Sequence, residues 1–164
     1  MTVQEIIELL DLKPHPEGGY YRESYRSKGV IVAAALSGEF AGPRNFSTAI
    51  YYLLDKGARS RIHRLASDEV WHYYLGDPVM IVEIMPDGCV RETIVGPKIQ
   101  DGHVPQHVVP AGRWFGAYLP DGSDYALVGC TVAPGFDFAD FEFGKREELI
   151  REFPTAENAI RRLT

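Results

Sequence analysis

Cysteine is scarce in this chain: its 164 residues include only Cys89 and Cys130. Two thiols so placed fit no metal-ligand or redox spacing, so they read as reduced, buried side chains of a cytoplasmic protein. No apolar run is long enough to cross a bilayer. The N-terminus carries acids and no apolar signal core, so no secretory leader is expected. A surplus of positive charge is also missing. With 17 basic and 23 acidic side chains, the net charge of -6 speaks against a nucleic-acid polymer as partner, though not against one nucleotide as ligand. No linker, repeat or low-complexity tract divides the chain, and residues 1–164 are expected to form a single domain.

What is present is a succession of short strand-like segments punctuated by Gly and Pro. Thr2 and Glu5 have capping-box form ahead of the stripe Ile6, Leu9 and Leu10, which predicts a short N-terminal helix. His15-Pro16-Glu17-Gly18-Gly19 reads as a turn, with His15 as a solvated turn residue. Strands are expected over residues 20–25, 30–36, 46–54, 69–75, 79–85, 90–95, 113–119 and 125–133. Residues 37–45 and 96–106 read as loops. Glu83 and Glu92 are expected to face solvent from otherwise apolar strands. His103 and His107 are separated by Pro105 and follow Gly102, which argues against a helical metal pair. The rings in Gly135-Phe136-Asp137-Phe138-Ala139-Asp140-Phe141-Glu142-Phe143 suggest an edge strand that seals a barrel, and two short helices are expected on either side of Pro154. Many strands and few helices predict an all-β sandwich or barrel.

The chemistry concentrates between Gly57 and Gly76, where His63, Glu69, Trp71, His72, Tyr73 and Tyr74 lie close in sequence. If residues 69–75 form a strand, Glu69, Trp71, Tyr73 and Leu75 share one face. A carboxylate on an apolar face needs a partner or a ligand, because burying an unpaired charge is costly. A carboxylate beside an imidazole fixes its tautomer and raises its pKa, so His63 is a candidate general acid or base.

The order Gly57, His63, Leu65, Glu69, Gly76 resembles the first signature of the cupin superfamily, with Leu65 in place of the usual second histidine. The segments from His15 to Ser27, Ser60 to Gly76, Val109 to Leu119 and Val128 to Glu142 are similar to a family of stand-alone cupins of unknown function. That family is related in fold to the dTDP-4-dehydrorhamnose epimerases, and the resemblance offers a second reading of His15, as a pocket-edge histidine rather than a solvated turn residue. The resemblance implies a double-stranded β-helix, or jelly roll, with a ligand cavity at one mouth, short N- and C-terminal helices and a homodimer. Typical cupins hold a metal with three histidines and one glutamate. Here Leu65 and Phe115 occupy two of the four positions, so no metal ligands are assigned and no cofactor is expected. The epimerases instead use a histidine base and a tyrosine acid. By that resemblance His63, Glu69 and Tyr73 are the catalytic candidates, with Tyr73 preferred to Tyr52 and Tyr118.

Trp71, Phe115, Arg61 and Tyr52 are the ligand-binding candidates, although core packing is the ordinary explanation for aromatic residues at such positions. Three functions remain open. The chain is a metal-free acid–base isomerase or epimerase, a non-catalytic module that binds a small sugar- or nucleotide-like molecule, or a degenerate metal-dependent cupin. Membranes are not expected among its partners.

Overall fold

The computed structural model describes residues 1–164. Helix α1 (Val3–Leu10) forms where the capping box predicts, with Thr2 and Glu5 each satisfying the other's backbone N–H. Such a cap stabilises a helix by about 1 kcal/mol. The chain then builds β1 (Lys13–Pro14), β2 (Tyr20–Arg26), β3 (Val30–Ile31), β4 (Arg44–Asn45), β5 (Thr48–Asp55), β6 (Arg59–Leu65) and β7 (Asp68–Gly76). It continues through β8 (Val79–Ile84), β9 (Val90–Val95), β10 (Gln106–Val109), β11 (Trp114–Tyr118), β12 (Tyr125–Ala133) and β13 (Phe141–Phe143). Helices α2 (Arg146–Glu152) and α3 (Glu157–Leu163) close the chain. None of these helices is long and apolar enough to cross a membrane.

Two sheets face each other. One is six-stranded in the order β1-β2-β5-β12-β7-β10, the other five-stranded in the order β13-β6-β11-β8-β9. Non-sequential neighbours such as β5, β12 and β7 are what a jelly roll requires, and the expected all-β jelly roll with terminal helices is the observed architecture. The main core lies between the sheets, where Tyr52, Leu54, Trp71, Ile81, Phe115 and Val128 pack together. Alternation sends the neighbouring residues outward. Ile62, Val82 and Ile84 meet Leu149, Ile160 and Leu163 of α2 and α3. Leu53 and Leu127 meet Ile6 of α1. Burying a side chain such as Ile6 contributes about 1.5–3 kcal/mol, so the helices act as covers over sheet faces rather than as independent elements.

Several local expectations fail. The strand expected over 30–36 stops at Ile31, and Ala33–Ala35 form a 3₁₀ turn. Three consecutive alanines offer little β-branched or aromatic surface to pack on a sheet. The aromatic segment is a strand only at Phe141–Phe143, on the edge of the five-stranded sheet. Glu83 does not face solvent. It is 1% exposed and meets His107 Nε2 at 2.9 Å, because its register places it inside the barrel opposite Phe115.

The turn at residues 15–19 is the most consequential departure. Gly18 and Gly19 both have positive φ, 119° and 68°. A Cβ on Gly18 would collide with the Arg59 carbonyl, and one on Gly19 would lie 2.5 Å from the Leu53 carbonyl. The Arg61 N–H donates to the Glu17 carbonyl at 3.0 Å, and the Tyr52 hydroxyl donates to the Gly18 carbonyl at 2.8 Å. The segment is thus pinned against β5 and β6 and carries Glu17 into the interior, where it is 6% exposed. Gly18→Val should therefore lower the unfolding free energy by more than about 2 kcal/mol in urea titrations. Gly122→Ala, at a turn with positive φ but open space, should cost only about 1 kcal/mol.

Candidate active site

A cavity of about 520 Å³ opens between the sheets. Its lining brings together His15, Glu17, His63, Glu69, Tyr21 and Cys130. His63 comes from β6 and Glu69 from the start of β7, as the sequence suggests. The pairing between them is different. His63 Nδ1 lies 2.7 Å from the Arg61 carbonyl and 3.2 Å from Glu17 Oε2, whereas no hydrogen bond joins it to Glu69. A carbonyl only accepts, so Nδ1 carries the proton. Nε2 then holds the lone pair, and no protein group bonds to it. This is the tautomer a general base requires.

Glu69 stands apart. It is 7% exposed, and its Oε2 has no hydrogen-bond partner. Buried carboxyl oxygens are rarely left unmatched. Burial raises the Glu69 pKa to about 7 against the opposing effect of His63, and raises that of Glu17 to about 8 against the smaller opposing effects of the nearby Ser60 and Tyr52 hydroxyls. Burial also lowers the pKa of His63, although Glu69 and the Arg61 carbonyl act in the other direction. The expected upward shift of His63 is therefore overturned, because loss of hydration outweighs the neighbouring carboxyl. His15, with burial as the larger cause and His63 the smaller, falls to about 4. At neutral pH the imidazoles are uncharged, Glu17 is protonated and Glu69 is near its midpoint. The close approach of His63 and Glu17 is thus a contact between neutral groups and not an ion pair.

The other candidates lie elsewhere. Tyr73 pairs regularly with Val128, and the irregularity of β7 against β12 follows it, at Tyr74. The register from Glu69 to Tyr73 is unbroken, so Tyr73 shares the inward face with Glu69 and Trp71 and packs against the main core, but four residues of strand carry it about 13 Å along β7 from Glu69. Its hydroxyl donates to the Gly76 carbonyl at 2.6 Å, and it does not line the cavity; Tyr21 is the cavity's tyrosine. Tyr52, Trp71 and Phe115 form the layer beneath. Tyr52 and Trp71 meet edge to face at 5.7 Å, and the Phe115 ring lies 4.3 Å from that of His63. They fix the base in place but do not line the cavity. Arg61 points outward, donating to the Pro16 carbonyl and stacking on Phe143 at 4.4 Å. Its contribution to the site is its backbone carbonyl.

Glu17 is the residue that sequence reasoning missed, and His15 takes the pocket-edge place that only the family resemblance suggested. His15 is not solvated: its side chain is 7% exposed, and its ring meets Tyr21 edge to face at 4.4 Å. An acid held between proline and two glycines was the available signal.

Of the four positions that carry metal in typical cupins, His63 and Glu69 offer donors. Leu65 lines the same cavity and Phe115 packs on His63, and both present only hydrocarbon. No group of three or more His, Cys, Asp or Glu side chains is arranged to hold a metal ion. The donor set therefore does not fit a cupin metal.

The family model described as Cupin superfamily (DUF985) matches residues 4–144. An uncharacterized protein of Saccharomyces cerevisiae is 31% identical over 96% of this chain and 83% of its own length. A hypothetical protein from Leishmania major superposes with a TM-score of 0.91 at 36% identity, covering 100% of this chain and 99% of that one. A Shewanella oneidensis protein superposes with a TM-score of 0.89 at 34% identity, covering 100% and 98%. Oxalate decarboxylase from Bacillus subtilis, at 14% identity and a TM-score of 0.54 over 92% of this chain and 36% of its own, shares the fold alone.

The buried cluster ties stability to pH. Glu17 and Glu69 have raised pKa values, so the folded state binds extra protons from about pH 4.5 upward, and their contribution is lost as pH rises through about 7 and 8. His15 and His63 are shifted down, so they act oppositely, and only below about pH 6.5. Between pH 6.5 and 8.5 the carboxyls act alone. The unfolding free energy should fall there by about 2 kcal/mol, and Glu17→Gln should remove most of that fall in urea titrations across the range.

Proposed function

The chain belongs to the cupin superfamily family described as DUF985, and from that premise we propose that it is an acid–base enzyme of isomerase or epimerase type. It acts on a small sugar- or nucleotide-like molecule without a metal. The observation that carries this reading is that one cavity is lined by His63, whose Nε2 lone pair no protein group engages, and by Glu69, a buried carboxyl with its pKa raised to about 7. His63 removes a proton from a carbon made acidic by an adjacent carbonyl, and protonated Glu69 returns one to the carbanion. Raised burial makes both groups effective near neutrality, since a carboxyl whose pKa lies near the working pH both donates and accepts. Tyr21 and Phe141, which stacks on His63 at 5.0 Å, supply flat apolar walls against which a ring can lie.

A second copy of the chain is part of the proposal. The two-stranded β3–β4 sheet joins neither large sheet, and so small a sheet is marginal alone. Around it Tyr25, Val30, Val32 and Phe46 are each at least half exposed. These are apolar surfaces that a partner's equivalent edge would cover.

The reaction is tested by incubating the protein with a panel of sugars and nucleotide-sugars in D₂O and reading deuterium incorporation by mass spectrometry. His63→Ala should lower incorporation by about 100-fold or more, and Glu69→Gln by a similar factor. Binding of a panel member with no incorporation would favour a binding module instead. One tightly held transition metal per chain in the natively purified protein would sink the metal-free mechanism.

A further inference from the structure

Glu83 and His107 are a buried carboxylate–imidazole pair that the site around His63 leaves unused. They lie in the same barrel on the far side of Phe115. On the inner face of the five-stranded sheet, Phe115 pairs with His63 of β6 on one flank and with Glu83 of β8 on the other. His107 stands on β10 opposite Trp71. It reaches across from the six-stranded sheet and brings Nε2 to 2.9 Å from Glu83 Oε2. Arg113, one residue before β11, brings Nε to 3.8 Å from Glu83 Oε1. None of the three lines the cavity that holds His63 and Glu69.

Two of these groups are incompletely used. A guanidinium carries five donors. The Nε of Arg113 is sealed from solvent without a partner, and 3.8 Å is too long for a hydrogen bond. Its terminal nitrogens also bond to no protein atom, and they are not sealed, although the side chain is only 16% exposed. A guanidinium so deeply placed ordinarily meets an acceptor squarely. His107 is its complement. The carboxylate beside Arg113 is an acceptor, so the imidazole nitrogen facing it, Nε2, carries the proton. Nδ1 then holds a lone pair that no protein group engages, and it too is open to solvent. One carboxylate thus holds a free donor fork and a free acceptor on its two oxygens.

We propose that Arg113 and His107 form a second ligand site, on the flank of the barrel, which binds a phosphate group. The terminal N–H groups of Arg113 donate to two phosphate oxygens, in the bidentate geometry that a guanidinium offers. A P–OH donates to Nδ1 of His107. Glu83 stays behind both and fixes the imidazole tautomer. Arg91, the exposed cross-strand neighbour of Glu83 on the same face, adds a cation at the rim. The acceptor sets the choice of anion. Near neutral pH inorganic phosphate carries an O–H in each of its forms, whereas sulfate carries none and would set an oxygen lone pair against that of Nδ1. The site therefore separates two anions of nearly the same size and shape. It does not depend on the acid–base reading of His63.

The test is a titration of inorganic phosphate into the ¹⁵N-histidine-labelled chain at pH 7, followed by calorimetry and long-range ¹H–¹⁵N correlation. One phosphate per chain should bind. His107, protonated on Nε2, should show the largest shift, at Nδ1. Sulfate at equal ionic strength should bind about tenfold more weakly or worse, and Arg113→Gln should weaken phosphate by a similar factor. His107→Leu should bring the two anions to nearly equal affinity. Equal affinity in the unmodified protein would overturn the site. So would an absence of binding, a His107 proton on Nδ1, or a largest shift at His63. These comparisons use the unmodified chain, so they decide the matter even where a variant fails to fold. Glycerol 1-phosphate binding more tightly than the free ion would assign the site to phosphate esters, and weaker binding would assign it to inorganic phosphate; both uphold the phosphate chemistry.

Discussion

A carboxyl, an imidazole and a second carboxyl are buried within one barrel, and the rest of the site follows from the cost of charging them there. Desolvation is the largest influence on Glu17, His63 and Glu69 alike. It pushes acids up and bases down, so all three move toward their neutral forms. Neutral groups are tolerable in a core if their hydrogen bonds are met. That of His63 Nδ1 is met by the Arg61 carbonyl, with Glu17 alongside. Glu69 Oε2 has no such partner, so its carboxyl is held in the core chiefly by being near neutral.

The fold holds this arrangement by layering. Tyr52, Trp71 and Phe115 pack beneath the cavity, and the close approach of Phe115 to His63 leaves the imidazole little room to turn. From one side the Gly18–Gly19 backbone presses Glu17 inward against β6. From the other, Phe141 stacks on the same imidazole. The hydrocarbon side chains at Leu65 and Phe115 are consistent with this economy. Where typical cupins place two further histidines, this chain places a cavity wall and a packing ring, which suit a neutral site better than a divalent ion.

Much of this was legible in the sequence. The capping box at Thr2 and Glu5, the existence of strands β8 and β9, and the spacing from Gly57 to Gly76 depend on near neighbours, and near neighbours are what a sequence displays. His63 and Glu69 were legible for the same reason. The partner of His63 was not, because Glu17 reaches it from a turn 46 positions earlier through two glycines whose need for positive φ gives no direction. Tyr73 keeps the face it was expected to share with Glu69, but distance along the strand takes it out of the cavity, and its hydroxyl closes on the Gly76 carbonyl. Arg61 was expected to act through its guanidinium and acts through its carbonyl, a group that every residue carries.

The central claim is that His63 is neutral, protonated on Nδ1, with Nε2 free toward the cavity. Long-range ¹H–¹⁵N correlation of the ligand-free protein at pH 7 reads the tautomer directly. A proton-bearing Nδ1 shift paired with an unprotonated Nε2 shift is the expected result. An imidazolium pattern, or a proton on Nε2, would contradict the geometry and remove the base from the site.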